Sequence, residues 1–157
     1  MDTCHFRFCD RTAAIDIQQL QLLFQLSAPW AAARCGADLE VAIANSYPVI
    51  TVWEGERQIG FVRATSDGVY RAVIWDVVIH PEYQGVGLGR KLMATLLKHP
   101  HICSAERVYL MTSREQGFYE HIGFTQNLST TMLLEHQSLE ISPSQAQRDL
   151  YSVTVSA

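Results

Sequence analysis

A glycine-rich segment in the middle of the chain has the residue types of a phosphate-binding loop. Its glycines alternate with other residues, a few positions after the apolar run Val77–Ile79 and before a segment with helical spacing of leucines. Glycine lets the backbone approach a ligand closely, and the first N–H groups of a helix lie unpaired at the positive end of its dipole. The segment therefore predicts an anionic cofactor bound by backbone groups of Gln84, Gly85, Val86, Gly87, Leu88, Gly89 and Arg90.

Arg90 excludes two familiar phosphate loops. A Walker A loop that began at Gly85 would need its second glycine at this position, and a G-x-G-x-x-G dinucleotide loop would need its third glycine there. Arginine occupies the position instead. The pattern that remains is Gln84-x-x-Gly87-x-Gly89 after a predicted strand.

A second motif, Gly117-Phe118-Tyr119-Glu120-His121-Ile122-Gly123-Phe124, follows further along the chain. Either motif alone is compatible with a tight turn or with ordinary core aromatics. Together and in this order, they resemble the acetyl-CoA loop Gln/Arg-x-x-Gly-x-Gly/Ala and the F-Y-x-x-x-G-F element of the GCN5-related N-acetyltransferase (GNAT) superfamily. The pair favours membership of that family.

Three further segments resemble the plastid and cyanobacterial branch that includes serotonin N-acetyltransferases: Asn45–Tyr47, Arg63–Gly68 and Ile74–Val77. The resemblance covers roughly residues 4–134. It implies direct transfer of acetyl from acetyl-CoA, in a ternary complex, to a primary amine, most of all serotonin or another arylalkylamine. A protein N-terminus or lysine is the alternative acceptor. A non-catalytic acetyl-CoA-binding module is the second alternative, and the presence of Tyr119 argues against it.

The resemblance also implies roles for single residues. Tyr119 matches the general acid that protonates the departing thiolate. Backbone groups of Val77, Val78 and Ile79 match those that pair with the pantetheine arm, and the N–H of Val78 is expected to polarise the thioester carbonyl. Further cofactor donors are expected at Arg114 and Gln116. Trp30 and Tyr47 are expected to face an aromatic amine.

Asp76 is the one acidic residue inside the strand that is expected to hold the cofactor. An alkylammonium must lose a proton before it attacks a thioester, and a buried carboxyl can be tuned to accept it. Asp76 is therefore a candidate general base, with a contact to the acceptor amine or to the protein itself as an equal alternative. Tyr83, beside the glycine loop, is the second candidate for proton transfer.

Apolar periodicity and turn residues predict helices and strands that position these groups. The resulting class is α/β: a single domain with a mixed, mostly antiparallel central sheet, flanked by helices and splayed between the fourth and fifth strands. Alternation in the strand Tyr70–Ile79 predicts Ile74, Asp76 and Val78 on one face. The predicted strands are His5–Phe8, Val49–Glu54, Gln58–Thr65, Tyr70–Ile79, Arg107–Thr112 and Gln126–Glu135, and the helices begin near Asp16, Ala37, Gly87 and Gln116.

The composition is that of an ordinary globular protein, with 157 residues, 48% of them hydrophobic, and a net charge of −4. The acidic balance argues against nucleic acid as a partner and suits a cationic acceptor. No segment has the apolar length of a membrane span, and neither cysteines nor histidines have the spacing of metal ligands. We expect a cytoplasmic protein without a metal, in which residues 1–136 form the N-acetyltransferase domain and residues 137–157 a polar tail or partner-dependent arm. Homodimers are common in the superfamily, and a strand for one is available at Thr130–Leu134.

Overall fold

The computed structural model describes residues 5–129 and 131–134. The chain divides after Gly123 into two compact units, and the first unit contains every helix and strand found in the described residues. The domain boundary that we predicted between residues 136 and 137 lies outside the described residues and stays a prediction.

Five strands form one sheet in sequential order. The first four are antiparallel neighbours, and the fifth runs parallel to the fourth. The mixed, mostly antiparallel sheet predicted from the sequence is thus confirmed. The strands are β1 Arg7–Cys9, β2 Val49–Glu54, β3 Arg57–Ser66, β4 Arg71–Ile79 and β5 Arg107–Leu110.

Short turns with suitable residues join the central strands. Gly55, with φ of 57°, connects β2 to β3, a conformation that glycine adopts without steric cost. Between β3 and β4, the Asp67 carboxylate accepts hydrogen bonds from three successive N–H groups, those of Val69, Tyr70 and Arg71. These bonds lower the pKa of Asp67 and fix the turn that sets the register of β4.

The helices lie in the connections between strands. Asp16 caps the first helix by accepting a hydrogen bond from the N–H of Gln19 at 3.0 Å, and Pro29 follows its end, as the sequence predicts. The helices are α1 Ile17–Ser27, α2 Gly36–Ala44, α3 Leu88–Lys98, α4 Pro100–Cys103 and α5 Gln116–Glu120.

The two faces of the sheet are covered by different helices. On one face, α1 and α2 bury an apolar cluster against β2, β3 and β4, through Val49, Phe61 and Val78. On the other face, α3 packs against β2, β3 and β4, and Leu88, Leu92, Met93 and Leu96 are fully buried. The end of β4 therefore lies between two packed layers, which hold its backbone in place.

The second unit, considered by itself, contains no strand among residues 124–129 and 131–134. The strand predicted at Gln126–Glu135 is wrong over its described part. Asn127 accepts hydrogen bonds from both the N–H and the hydroxyl of Ser129, at 3.2 and 2.9 Å, and such local bonds compete with strand pairing. Residues 131–134, four of the five residues expected to supply a dimer strand, are likewise not a strand, whereas the homodimer itself stays a prediction.

Candidate active site

A bulge interrupts β4 in its second half. Phe61 of β3 lies opposite Val78, but Arg63 lies opposite Trp75, so β4 has one more residue than β3 between these pairs. Asp76, inside the bulge, has φ of 54°, a left-handed conformation that is uncommon for residues other than glycine.

The bulge changes which side chains share a face. Residues directly opposite each other in an antiparallel pair point to the same side, so Trp75 and Val78 lie on the face of Arg63 and Phe61. The predicted alternation, which put Ile74 on the face of Val78, is therefore wrong. The extra residue shifts the alternation by one position, and a strict period of two cannot anticipate it.

Beyond the bulge, one edge of β4 is open. Pairing with β5 ends at Ile74 and Leu110, whereas β4 continues to Ile79. In the described part of the chain, the last five residues of β4, Trp75–Ile79, have a strand neighbour on the β3 side alone. The splay predicted between the fourth and fifth strands is confirmed.

Backbone groups at this edge point into the open side in a defined order. The N–H of His80 donates to the carbonyl of Ile59 at 2.8 Å, so alternation directs the N–H of Val78 toward β3 as well. The N–H groups of Val77 and Ile79 then point to the open side. The Gln84 side chain agrees with this, because its Nε2 donates to the Ile79 carbonyl at 2.9 Å. Val77 and Ile79, rather than Val78, are thus the available donors.

The glycine loop leads from this edge to α3. Gly85 and Gly87 have φ of 75° and 85°, and a Cβ on either would meet no heavy atom within 4 Å. The backbone of the loop therefore borders open space. Gly87 is also the residue before the first turn of α3, where N–H groups lack intrahelical partners. These features are those of an anion-binding loop, and contacts of residues Gln84–Arg90 with a pyrophosphate stay a prediction.

Aromatic residues of α5 close the same end of β4. A Cβ built on Gly89 would lie 3.4 Å from Cζ of Phe118 and 3.7 Å from Cγ1 of Ile79, and the ring of Phe118 lies 5.0 Å from that of Tyr119. Tyr119 is thereby brought near the glycine loop, and Gln116 begins the same helix. Burial, with a smaller effect of the Glu115 carboxylate, raises the pKa of Tyr119 to about 12.

Asp76 is held by two arginines. Its Oδ2 lies 2.6 Å from Nε of Arg63 and 2.8 Å from Nη1 of Arg34, and its side chain is 6% exposed. Arg63 also donates from Nη1 to the hydroxyl of Ser46 at 3.1 Å and lies over the Trp75 ring. The carboxylate is therefore committed to ion pairs within the protein, which was one of the two alternatives left open by the sequence.

Arg34 is the residue of this cluster that sequence reasoning missed. It lies in the connection between α1 and α2, far from Asp76 in the chain, and no local motif marks it. Arg63 does lie in a segment that resembles the serotonin N-acetyltransferase branch, but the resemblance assigns it no role. Only the folded chain joins the two guanidinium groups at one carboxylate.

Tyr83 lies in a different environment from the other candidates. It is buried, and its hydroxyl donates a short hydrogen bond to Oε2 of Glu54. This bond raises the pKa of Tyr83, and the side chain also packs edge-on against Phe6 and beneath the guanidinium of Arg57. These contacts favour a structural role, and a role of Tyr83 in proton transfer stays a prediction.

The two aromatic residues expected at the acceptor site are separated. Trp30 is 65% exposed, in the connection that also contains Arg34. Tyr47 instead contacts His99 and His101, at ring distances of 5.1 and 5.2 Å. With these residues it lines a shallow cavity of about 340 Å³ next to Gly68 and α4. Tyr47 thus packs beside α4, while Trp30 remains a candidate acceptor contact.

Two further expectations concern metals and membranes. Within residues 5–129 and 131–134, no group of histidine, cysteine and carboxylate side chains is arranged to bind a metal ion. Over the same residues, every helix is too short or too polar to cross a bilayer. Cys9, Cys35 and Cys103 are free thiols.

The open strand edge, the glycine loop and the aromatic helix together define the class of acetyltransferase domains. A family model described as the acetyltransferase (GNAT) domain matches residues 45–126, just over half of the chain, and the chain belongs to this family. A structure described as an acetyltransferase of the GNAT family, from Xanthomonas campestris pv. campestris, is 30% identical with a TM-score of 0.74, over 85% of this chain and 93% of that one.

Curated relatives have the same family character. A Prochlorococcus marinus protein named uncharacterized N-acetyltransferase ycf52-like is 39% identical over 116 residues, 71% of this chain and 63% of its own. The chloroplastic serotonin N-acetyltransferase 2 of Oryza sativa subsp. japonica is 42% identical over 69 residues, 43% of this chain and 34% of its own. The chain spans between 50% and 63% of the length of the first curated relatives it matches.

Proposed function

We propose that this chain is an acetyl-CoA-dependent N-acetyltransferase that transfers acetyl to a primary amine by direct attack. The observation that carries the proposal is the continuity of the open β4 edge with the glycine loop. Five residues of β4 that lack a strand neighbour on the β5 side lead toward a turn with two left-handed glycines and then into a helix N-terminus. This order suits a ligand with an amide-containing arm and a pyrophosphate.

The backbone would supply both binding and polarisation. N–H groups of the loop and of the first turn of α3 would bind the pyrophosphate, and Val77, Val78 and Ile79 would line the pantetheine arm. An N–H of Val77 or Ile79, directed to the open side, would donate to the thioester carbonyl as negative charge develops on its oxygen. The packed layers on both sides hold these donors in place before the reaction.

Tyr119 would donate a hydrogen bond to the departing sulfur. With a pKa of about 12, its hydroxyl stays protonated throughout the neutral range. A thiol has a pKa of about 8.5, so complete proton transfer from this phenol to a thiolate is uphill. Tyr119 is therefore better suited to stabilise the developing thiolate than to lose its proton outright, and the proton released by the attacking amine balances the reaction.

The acceptor amine must reach the site in its neutral form. Asp76 is a poor candidate for removing the proton, because two guanidinium groups occupy its Oδ2. An alkylamine with a pKa of about 10 is partly neutral at slightly alkaline pH, and water can accept the proton. We therefore assign Asp76 a positioning role at the bulge and leave deprotonation to solvent.

The first acceptor class is an arylalkylamine such as serotonin. Similarity to a serotonin N-acetyltransferase over part of the chain and the exposed Trp30 ring in the α1–α2 connection support it. A protein N-terminus or lysine is the alternative. For the compartment, the sequence predicts the cytoplasm, whereas the rice relative is named chloroplastic.

The test is CoA release from acetyl-CoA by the purified full chain with serotonin, tryptamine, tyramine, polyamines and peptides with free N-termini or lysines. Turnover with any amine supports N-acetyltransfer, and its distribution identifies the acceptor class. Calorimetric binding of acetyl-CoA is measured in parallel. Binding without turnover across the panel would instead support a non-catalytic acetyl-CoA-binding module.

A further inference from the structure

The cluster of Arg34, Asp76 and Arg63 carries an excess positive charge. Both guanidinium groups contact the same oxygen of one carboxylate, and the Ser46 hydroxyl that also contacts Arg63 is neutral. Two cations and one anion leave a net charge of +1. The acidic balance of the whole chain, −4, does not apply at this point.

Arg34 is the accessible member of the cluster. Its side chain is 36% exposed, against 16% for Arg63 and 6% for Asp76. Of its five N–H groups, one contacts Asp76, and no other described residue accepts from the rest. The remaining donors form a planar fork, which matches the geometry of a second carboxylate.

The position of Arg34 is fixed by contacts with α1 and with its own connection. Its N–H donates to the carbonyl of Ala31 at 3.1 Å, its carbonyl accepts a hydrogen bond from the Gln21 side chain at 3.4 Å, and its guanidinium lies over the Phe24 ring. An arginine held in this way loses little conformational freedom on binding a ligand, which favours specific recognition.

The same connection supplies an aromatic surface. Trp30 precedes Arg34 by four residues in the α1–α2 connection and is 65% exposed. The segment thus carries an exposed indole ring and a guanidinium, and the guanidinium contacts the β4 bulge through Asp76. This pair of groups suits a ligand that combines an aromatic ring with an anion close to its amine.

We propose that the acceptor is an aromatic amino acid, whose carboxylate binds Arg34 while its α-amine approaches the thioester edge of β4. This inference rests on the proposed N-acetyltransferase function and goes beyond its first acceptor class, because it requires a carboxylate that serotonin and other simple arylalkylamines lack. The carboxylate forms paired hydrogen bonds with the free side of the Arg34 guanidinium, and the Trp30 ring contacts the aromatic side chain. An arylalkylamine without a carboxylate leaves those donors unused.

The test compares three acceptors that differ at one group: tryptophan, tryptophanamide and tryptamine. With the wild-type chain, we expect kcat/KM for tryptophan to exceed that for tryptamine and for tryptophanamide by about tenfold or more, as expected for a charge-assisted pair. In Arg34→Met the ratio of tryptophan to tryptamine should fall by about the same factor. Arg34→Lys keeps the charge but loses the planar fork, so its ratio of tryptophan to tryptamine should lie between those of the wild type and Arg34→Met.

Arg107→Met is the matched control, because Arg107 is an exposed arginine at the start of β5, paired with Glu106. The selectivity of this variant for tryptophan over tryptamine should equal that of the wild type.

If Arg34→Met fails to fold, the three wild-type rates and the Arg34→Lys variant still decide the question. Turnover of tryptamine equal to or faster than that of tryptophan would overturn the proposal while leaving N-acetyltransfer intact. Preference for a peptide N-terminus over tryptophan would overturn it too, in favour of a protein acceptor. Silence with all amines would instead refute the proposed function itself.

Discussion

The two sides of the β4 bulge present different kinds of group: main-chain N–H groups on one side and charged side chains on the other. Toward the glycine loop, the donors are main-chain N–H groups held by sheet, turn and helix, and glycine is needed where φ reaches 75° and 85°. Toward the α1–α2 connection, the groups are charged side chains joined at Asp76. Backbone recognition depends on conformation and tolerates many side chains. Side-chain recognition can be altered by single substitutions. The cofactor side is therefore suited to binding one unchanging ligand, and the acceptor side to changing which amine is selected.

The largest effect is expected from Gly87→Val, on the backbone side. A β-branched residue at φ of 85° is strained by about 1–2 kcal/mol, and its side chain enters the space needed by the anion. Affinity for acetyl-CoA, measured by calorimetry, should fall by about 100-fold or more. Gly55→Val, at φ of 57° in the β2–β3 turn, imposes the same kind of strain elsewhere. Equal losses of affinity in both variants would contradict a loop that binds the cofactor.

Tyr119→Phe tests the one side chain placed on the cofactor side for chemistry. We expect kcat to fall by about 10- to 100-fold, since a hydrogen bond to developing charge is lost, while affinity for acetyl-CoA changes less than about threefold.

The matched variant is Tyr83→Phe, which removes the hydrogen bond to Glu54. It should lower the free energy of unfolding by about 1–2 kcal/mol and leave kcat nearly unchanged. A larger loss of kcat in Tyr83→Phe than in Tyr119→Phe would reverse the two assignments.

On the side-chain side, Asp76→Asn separates charge from conformation. Asparagine tolerates the left-handed region, but Arg34 and Arg63 lose their shared anion. We expect the free energy of unfolding, from urea titration, to fall by about 1.5–3 kcal/mol, the range for lost hydrogen bonds to charged groups. Glu106→Gln, at exposed ion pairs with Arg71 and Arg107, should cost less than about 0.5 kcal/mol. The pH profile of the remaining kcat should keep its shape, and loss of an ascending limb would restore Asp76 as the general base.

The smallest effect concerns pH and His80, which lies between the end of β4 and the glycine loop. Burial, and then the Arg57 guanidinium, lowers the pKa of His80 below 6.5. The folded chain therefore favours the neutral ring, and this contribution to stability is present above pH 6.5 and is lost as the pH falls through the lowered value. We expect Tm to decline more between pH 7.5 and pH 5 in the wild type than in His80→Asn. Parallel declines would mean that His80 makes no such contribution.

The backbone side could be predicted from the sequence because its parts are consecutive. Val77–Ile79, the loop Gln84–Arg90 and the start of α3 form one continuous segment, and glycine at fixed spacing marks the conformations it needs. The overall sheet and its splay followed from strand periodicity and from the family resemblance. The direction of the N–H groups did not, because the bulge at Asp76 shifts the alternation by one residue.

The side-chain side could not be predicted, because its members are distant in the chain. Arg34 meets Asp76 only when the α1–α2 connection lies against β4, and no spacing rule connects them. Tyr47 shows the converse. Its sequence position suggested the acceptor side, but the chain carries it to His99 and His101. A residue close to a motif in sequence predicts a functional role only when the local segment also determines where its side chain points.

The short pairing between β4 and β5 has a consequence for handling the protein. In the described part of the chain, Trp75–Ile79 have a strand neighbour on the β3 side alone, and an open strand edge is a template for joining another extended chain. A bound donor would occupy that edge and shield it. Saturation with CoA during purification would then suppress self-association, and a cell short of acetyl-CoA would leave more of this protein open to aggregation.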